Sequence, residues 1–152
     1  MDQVTHISGI FANHELQPFI ELPWNYERFF KRWVCGFNIQ GPIPECMRHL
    51  IREVETNLNI KVFSVFCNLL KTGDNYVPYH ADQYPFKLMT VSLGATRDFY
   101  FKSNSTGIRT HYEMKHGDLM IFPEVMNRTH KHSVPVRKNV NQPRVSILFF
   151  YN

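Results

Sequence analysis

Asn68-Leu-Leu-Lys-Thr-Gly-Asp-Asn-Tyr-Val-Pro-Tyr-His80-Ala-Asp82 is the stretch on which the reading of this chain turns. It begins at the end of a hydrophobic run, Lys61 to Leu70, passes through the turn residues Thr72-Gly73-Asp74-Asn75, and becomes extended at Tyr79. On an extended strand His80 and Asp82 point to one face. An imidazole and a carboxylate on one face are two thirds of a 2-His-1-carboxylate triad, the set that holds Fe(II) and leaves positions open. In a chain with 8 His and 13 acidic residues such a pair arises readily by chance, so its meaning depends on the residues downstream of it.

Downstream the chain is a series of short extended segments. Leu88 to Leu93, Phe99 to Lys102, Ile108 to Met114, Leu119 to Phe122, His130 to Val134 and Val145 to Tyr151 read as strands, with a turn at His116-Gly117-Asp118. The part before residue 61 reads differently. Val4 to Ile10 suggests a short strand. Asn13 to Leu22 suggests a short helix, capped by Asn13 and restricted by Pro18. From Glu45 to Leu58, Cys46, Met47, Leu50, Ile51, Val54 and Leu58 recur at steps of three and four, the pattern of an amphipathic helix. The expected fold is mainly β (α+β): a double-stranded β-helix, or jelly roll, with N-terminal helices packed on one sheet. Residues 1–152 form a single domain in this reading, with helices and a short substrate lid in 1–60 and the jelly-roll core in 61–152.

Composition agrees with a globule. Hydrophobic residues make up 43% and charged residues 20%, and 13 Phe with 7 Tyr favour strands. A net charge of +4 pushes mildly toward polyanions, nucleic acid included. Cys35, Cys46 and Cys67 are odd in number and lack metal spacing, so they read as free thiols of a reducing compartment. No apolar run approaches the ~20 residues of a membrane span. The expectation is an intracellular protein, cytoplasmic or nuclear, with no membrane contact and no obligate protein partner.

A second histidine lies in Arg128-Thr-His-Lys-His-Ser-Val-Pro135, where His130 and His132 share a face and compete as the third ligand. Farther on, Arg144 opens the apolar strand Arg144-Val-Ser-Ile-Leu-Phe-Phe-Tyr151. Alternation puts Arg144, Ser146, Leu148 and Phe150 on one face. An arginine entering a core strand needs an anionic partner, and a dicarboxylate fits it bidentately. A protein carboxylate at a surface end is the other reading.

From Phe63 to Asn152 these residues resemble the AlkB family of Fe(II)- and 2-oxoglutarate-dependent oxygenases, nucleic-acid demethylases on a double-stranded β-helix. The pieces occur in the family's order: Asn68 with His80-Ala-Asp82, Val91-Ser-Leu-Gly-Ala-Thr-Arg-Asp-Phe99, His116-Gly-Asp-Leu-Met-Ile-Phe122, His132-Ser-Val-Pro-Val-Arg-Lys138 and Pro143-Arg-Val-Ser-Ile147. The resemblance implies His80, Asp82 and His132 as iron ligands and catalytic centre, His132 being chosen over His130 by the His-x-Val-Pro pattern. It implies Arg144, with Ser146 on its face, and Asn68 as contacts of 2-oxoglutarate, and O₂ as cosubstrate. The implied reaction is oxidative removal of N-methyl groups from DNA or RNA bases, releasing formaldehyde, succinate and CO₂.

Three positions depart from the family pattern. Leu70 stands where the family has Tyr, Phe150 where it has a second arginine, and Tyr84 where many members have an acidic residue for a cationic base. The second departure implies weaker 2-oxoglutarate binding, and the third makes a neutral base such as 6-methyladenine as good a fit as 1-methyladenine or 3-methylcytosine. The methylated nucleic acid would be single-stranded or enter by base flipping. Tyr84, Trp24, Trp33 and Arg97 are the expected substrate contacts. Tyr26, Arg28, Lys31 and Arg32 complete a reduced lid, and Arg137 and Lys138 are further phosphate candidates. Two rival expectations remain: an impaired module that only binds nucleic acid, and a dioxygenase of this fold acting on a protein or small molecule.

Overall fold

A computed structural model describes residues 3–82 and 87–152. Before the jelly roll come β1 (Thr5–Ile7), α1 (Gln17–Ile20), β2 (Asn25–Glu27), β3 (Arg32–Asn38) and α2 (Glu45–Leu58). The roll itself is β4 (Val62–Leu70), β5 (Val77–His80), β6 (Lys87–Gly94), β7 (Arg97–Ser103), β8 (Arg109–Met114), β9 (Asp118–Phe122), β10 (His130–Val134) and β11 (Arg144–Tyr151). A single helical turn, α3 (Met126–Thr129), precedes β10.

Two antiparallel sheets face each other. The larger has the order β1-β9-β6-β11-β4-β3-β2 and the smaller β5-β10-β7-β8. Neighbours in these sheets are distant in sequence, as in a jelly roll. The expectation for residues 1–60 needs correction here. β1 falls within the strand expected at Val4 to Ile10, but β2 and β3 lie where no strand is expected, and the three extend the larger sheet at both edges. Asn13 does not cap α1, whose N-cap is Leu16; the Asn13 amide instead reaches Glu53 at 3.5 Å.

Alternation along β11 separates two cores. Val145, Ile147 and Phe149 face Met47, Leu50, Ile51 and Val54 of α2. Each such side chain stabilises the fold by about 1.5–3 kcal/mol when fully buried. Phe150 and Leu148 face the other sheet and join Leu88, Phe99, Phe101, Phe122 and Val134. A cavity opens in this second layer, lined by Arg144 and Ser146, which lie on the same face of β11. Gly117 makes the turn before β9: its φ is +82° and a Cβ there would collide with the Ala12 backbone. Among the described residues no helix is long and apolar enough to cross a membrane, and Cys35, Cys46 and Cys67 are free thiols, with Cys46 only half-buried.

Candidate metal and cosubstrate site

His80 ends β5 and His132 is the middle residue of β10, and the two are direct register partners. A register shift between His132 and Val134 sets this pairing, since it lets His80 face inward on the side that Val77 also faces. The imidazoles lie 4.3 Å apart, centroid to centroid. Asp82 stands beside both, with Oδ1 at 3.7 Å from His80 Nε2 and Oδ2 at 3.3 Å from His132 Nε2. One ligand atom from each residue lies within 4.8 Å of the others. His130 is outside this cluster; its Nδ1 meets Thr129 Oγ1 at 2.7 Å.

Several contacts prepare these atoms for a metal. The Nδ1–H of His80 donates to the Pro78 carbonyl at 2.8 Å, which leaves the Nε2 lone pair facing the cluster. Burial, and then the charge of His132, push the His80 imidazole below its ordinary value, favouring the neutral form a metal requires. Burial alone would raise the Asp82 carboxyl, but His132, followed by His80 and Arg32, brings it below the usual carboxylate value. His132 is buried and stacks on Phe99 with rings 5.5 Å apart and 11° from parallel. Asp82 Oδ2 is buried without a hydrogen bond among the described residues, an acceptor that a cation would satisfy. Two nitrogens and one carboxylate with an orphaned oxygen fit Fe(II).

Asn127, on α3, carries no mark in the sequence that singles it out. Its Oδ1 accepts from the Asp82 N–H at 2.8 Å and its Nδ2 donates to the Asp82 carbonyl. The side chain therefore clamps both backbone polar groups of a ligand residue. Asn127→Ala is expected to weaken Mn(II) binding, followed by electron paramagnetic resonance, by roughly tenfold or more while the protein stays folded.

The cavity beside the cluster encloses about 250 Å³. Asn68, Arg144 and Ser146 all line it, with Thr90, Phe150 and Arg32. Arg144 is 2% exposed. Its Nε–H donates to Ser92 Oγ at 2.9 Å, and among the described residues no carboxylate pairs with it. Burial, with Arg97 adding to it, pushes the guanidinium down to about 9, so it stays protonated at neutral pH. Asn68 Oδ1 is likewise buried without a hydrogen bond among the described residues. Leu70 is buried between the sheets opposite Arg144, and Phe150 is 6% exposed on the cavity wall.

The expected substrate contacts fare differently. Arg97 is 1% exposed, and its guanidinium donates to the carbonyls of Thr72, Asn75 and Pro135 at 3.3, 2.7 and 2.8 Å. It fastens two loops and does not line the cavity, so it is not a surface contact for substrate. Trp24 donates its indole N–H to Ile20 and packs on the helix-side core, as does Trp33, which carries Lys71 Nζ 4.1 Å above its ring. Neither tryptophan lines the cavity. Arg137 is held by Glu113 at 3.3 Å and Asp98 at 4.0 Å, while Lys138 is exposed. Tyr84 lies outside the described residues.

No family model matches the chain. Human "Alpha-ketoglutarate-dependent dioxygenase alkB homolog 3" is 27% identical over 146 residues, covering 85% of this chain and 48% of the relative. Bovine "DNA oxidative demethylase ALKBH2" is 32% identical over 98 residues, covering 56% of this chain and 35% of the relative. The chain thus spans about half the length, or less, of the curated relatives it matches. Among solved structures, OsALKBH1 superimposes with a TM-score of 0.73 at 11% identity, covering 99% of this chain and 98% of that one. A Pseudomonas putida prolyl-4-hydroxylase gives 0.67 at 11% identity, covering 98% and 91%. Two facing sheets with His80, Asp82 and His132 lining the cavity between them are the fold that this chain shares with those two solved structures. The sequence relatives are AlkB homologues, and this chain is similar to them over the shares given above.

Proposed function

We propose that this chain removes N-methyl groups from nucleic-acid bases by Fe(II)- and 2-oxoglutarate-dependent oxidation. The observation that carries the reading is Arg144, a fully buried cation without a carboxylate partner among the described residues, in the same cavity as His80, Asp82 and His132. A buried guanidinium is costly unless an anion meets it, and the far carboxylate of 2-oxoglutarate is such an anion. Iron and 2-oxoglutarate, when bound, supply the oxidising power. His80, Asp82 and His132 hold the metal, Arg144 takes the far carboxylate, and Asn68 and Ser146 line its path. Ser92 holds Arg144 in place. The names of the curated relatives, one a dioxygenase and one a DNA oxidative demethylase, support the class of reaction.

Access for the base runs past the β2–β3 hairpin. Tyr26 is 51% and Phe29 87% exposed there, and Arg28 and Lys31 are exposed beside them. Aromatic faces next to cations stack bases and meet phosphates. The short hairpin suits a single strand or a base already flipped out.

The test is mass spectrometry on a panel of methylated single-stranded DNA and RNA oligonucleotides with Fe(II), ascorbate and 2-oxoglutarate. Loss of one methylene mass per methyl group, dependent on His80 and on 2-oxoglutarate, is the expected result. Succinate formation without any demethylation would point to another substrate. Neither product would overturn the enzymatic reading.

A further inference from the structure

Arg32 opens β3, which lies beside β4 in the larger sheet. Trp33 and Cys35 of this strand pack toward the helices, so alternation turns Arg32 and Val34 to the opposite side. Arg32 accordingly lines the cavity that holds Asn68, Asp82, His132 and Arg144. Among the described residues on that wall, Arg32 and Arg144 are the arginines and there is no lysine.

The two arginines reach the cavity from different strands: Arg144 pairs with Leu70 of β4, and Trp33 and Val34 of β3 pair with Leu69 and Asn68 on the other edge of that strand, so β4 lies between them. The Arg32 side chain is 15% exposed, and its ion pair among the described residues, Nε to Glu27 Oε2, is long at 3.7 Å. That same Glu27 oxygen accepts the Phe30 N–H at 3.0 Å. The Arg32 Nε–H itself is buried and makes no hydrogen bond among the described residues. A charged donor left unsatisfied beside a cavity is costly in the empty protein and is relieved when an anion enters.

A dicarboxylate has two anionic ends, and Arg144 provides for one. Phe150, on the same face of β11, offers no charge to the other. We propose that Arg32 binds the second carboxylate of 2-oxoglutarate, the one that Arg144 does not take, and so serves as the second cation of the cosubstrate site. This rests on the reading of the cavity as a 2-oxoglutarate site. It assigns a cosubstrate role to a residue from the hairpin region and makes the hairpin's placement part of cosubstrate binding.

Isothermal titration calorimetry with Mn(II) in place of iron tests it without turnover. The wild type, Arg32→Gln and Arg32→Lys are titrated first with Mn(II) and then with 2-oxoglutarate, and an unmethylated single-stranded oligonucleotide is titrated separately. Arg32→Gln is expected to weaken 2-oxoglutarate by on the order of tenfold or more, and Arg32→Lys by less. Mn(II) alone is expected to bind as well or better, since a neighbouring cation repels the metal. Unchanged 2-oxoglutarate affinity, with or without a loss of oligonucleotide affinity, overturns the assignment. So does a parallel weakening of Mn(II), which marks a structural role. If the wild type with Mn(II) does not bind 2-oxoglutarate at all, the reading of the cavity itself has failed, and that outcome is distinct.

Discussion

Asp82→Ala is expected to reduce Mn(II) or Fe(II) affinity by about three orders of magnitude and to bring succinate formation to background. Two opposite unit charges 4 Å apart attract by about 4 kcal/mol at an effective dielectric near 20, which is roughly a thousandfold in affinity. A dication at coordination distance carries twice the charge and sits closer, while the water that both ions shed offsets part of that gain, so about a thousandfold is the scale expected. The fold should tolerate the change. Asp82 Oδ2 has no hydrogen bond among the described residues, and the contacts made by Asn127 go to the Asp82 backbone, which alanine keeps. His130→Ala is the matched control, because His130 turns to Thr129 and lies outside the cluster. Calorimetric metal titration of both variants decides the point. Asp82→Ala binding within a few fold of wild type would remove the triad as the metal site.

How legible each part of this site is in the sequence depends on the kind of signal that part leaves there. Alternation along β11 is a local property, and it puts Arg144 and Ser146 on one wall as the structure has them. Helix α2 is equally plain, since a repeating apolar face needs no knowledge of its partner. His130 and His132 share a face, so periodicity alone is unable to separate them; what separates them in space is the pairing of β10 with β5 and its register shift. Arg97 is misread from sequence because a charge there says nothing of burial, and its three partners are backbone carbonyls from two distant loops. The β2–β3 hairpin escapes a sequence reading because its turn uses Lys31 at a φ of +51° where a glycine would have been the usual marker, although Trp33, Cys35 and Phe37 alternate along β3. Asn127 lies on a single helical turn with no motif around it, and its role exists only through a contact 45 residues back in the chain. Long-range hydrogen bonds of this kind have no sequence period.

Arg144→Met is expected to separate binding from stability, with opposite signs. In the unliganded protein Arg144 is a buried charge whose hydrogen bond among the described residues is to Ser92 Oγ, and burial already drives its guanidinium down to about 9. Replacing a buried charge with an apolar side chain of similar length is often neutral or stabilising by about 1–4 kcal/mol. Against that stands the loss of a partner for the fully buried Ser92 hydroxyl, which costs about 1–3 kcal/mol. The unliganded variant should therefore unfold near the wild-type temperature or above it. Cosubstrate binding should collapse. A bidentate guanidinium–carboxylate pair is two charge-assisted hydrogen bonds of about 1.5–3 kcal/mol each, so a loss of two orders of magnitude or more is expected. Thermal unfolding reads both quantities at once. At a hundredfold excess over its Kd a ligand stabilises by about 2.7 kcal/mol. Wild type with Mn(II) should thus gain thermal stability when 2-oxoglutarate is added, and Arg144→Met should gain almost none. If Arg144→Met is several kcal/mol less stable than wild type without ligand, the arginine is a structural element. If it responds to 2-oxoglutarate as wild type does, the dicarboxylate does not bind where its charge demands, and the reading of the cavity falls with it.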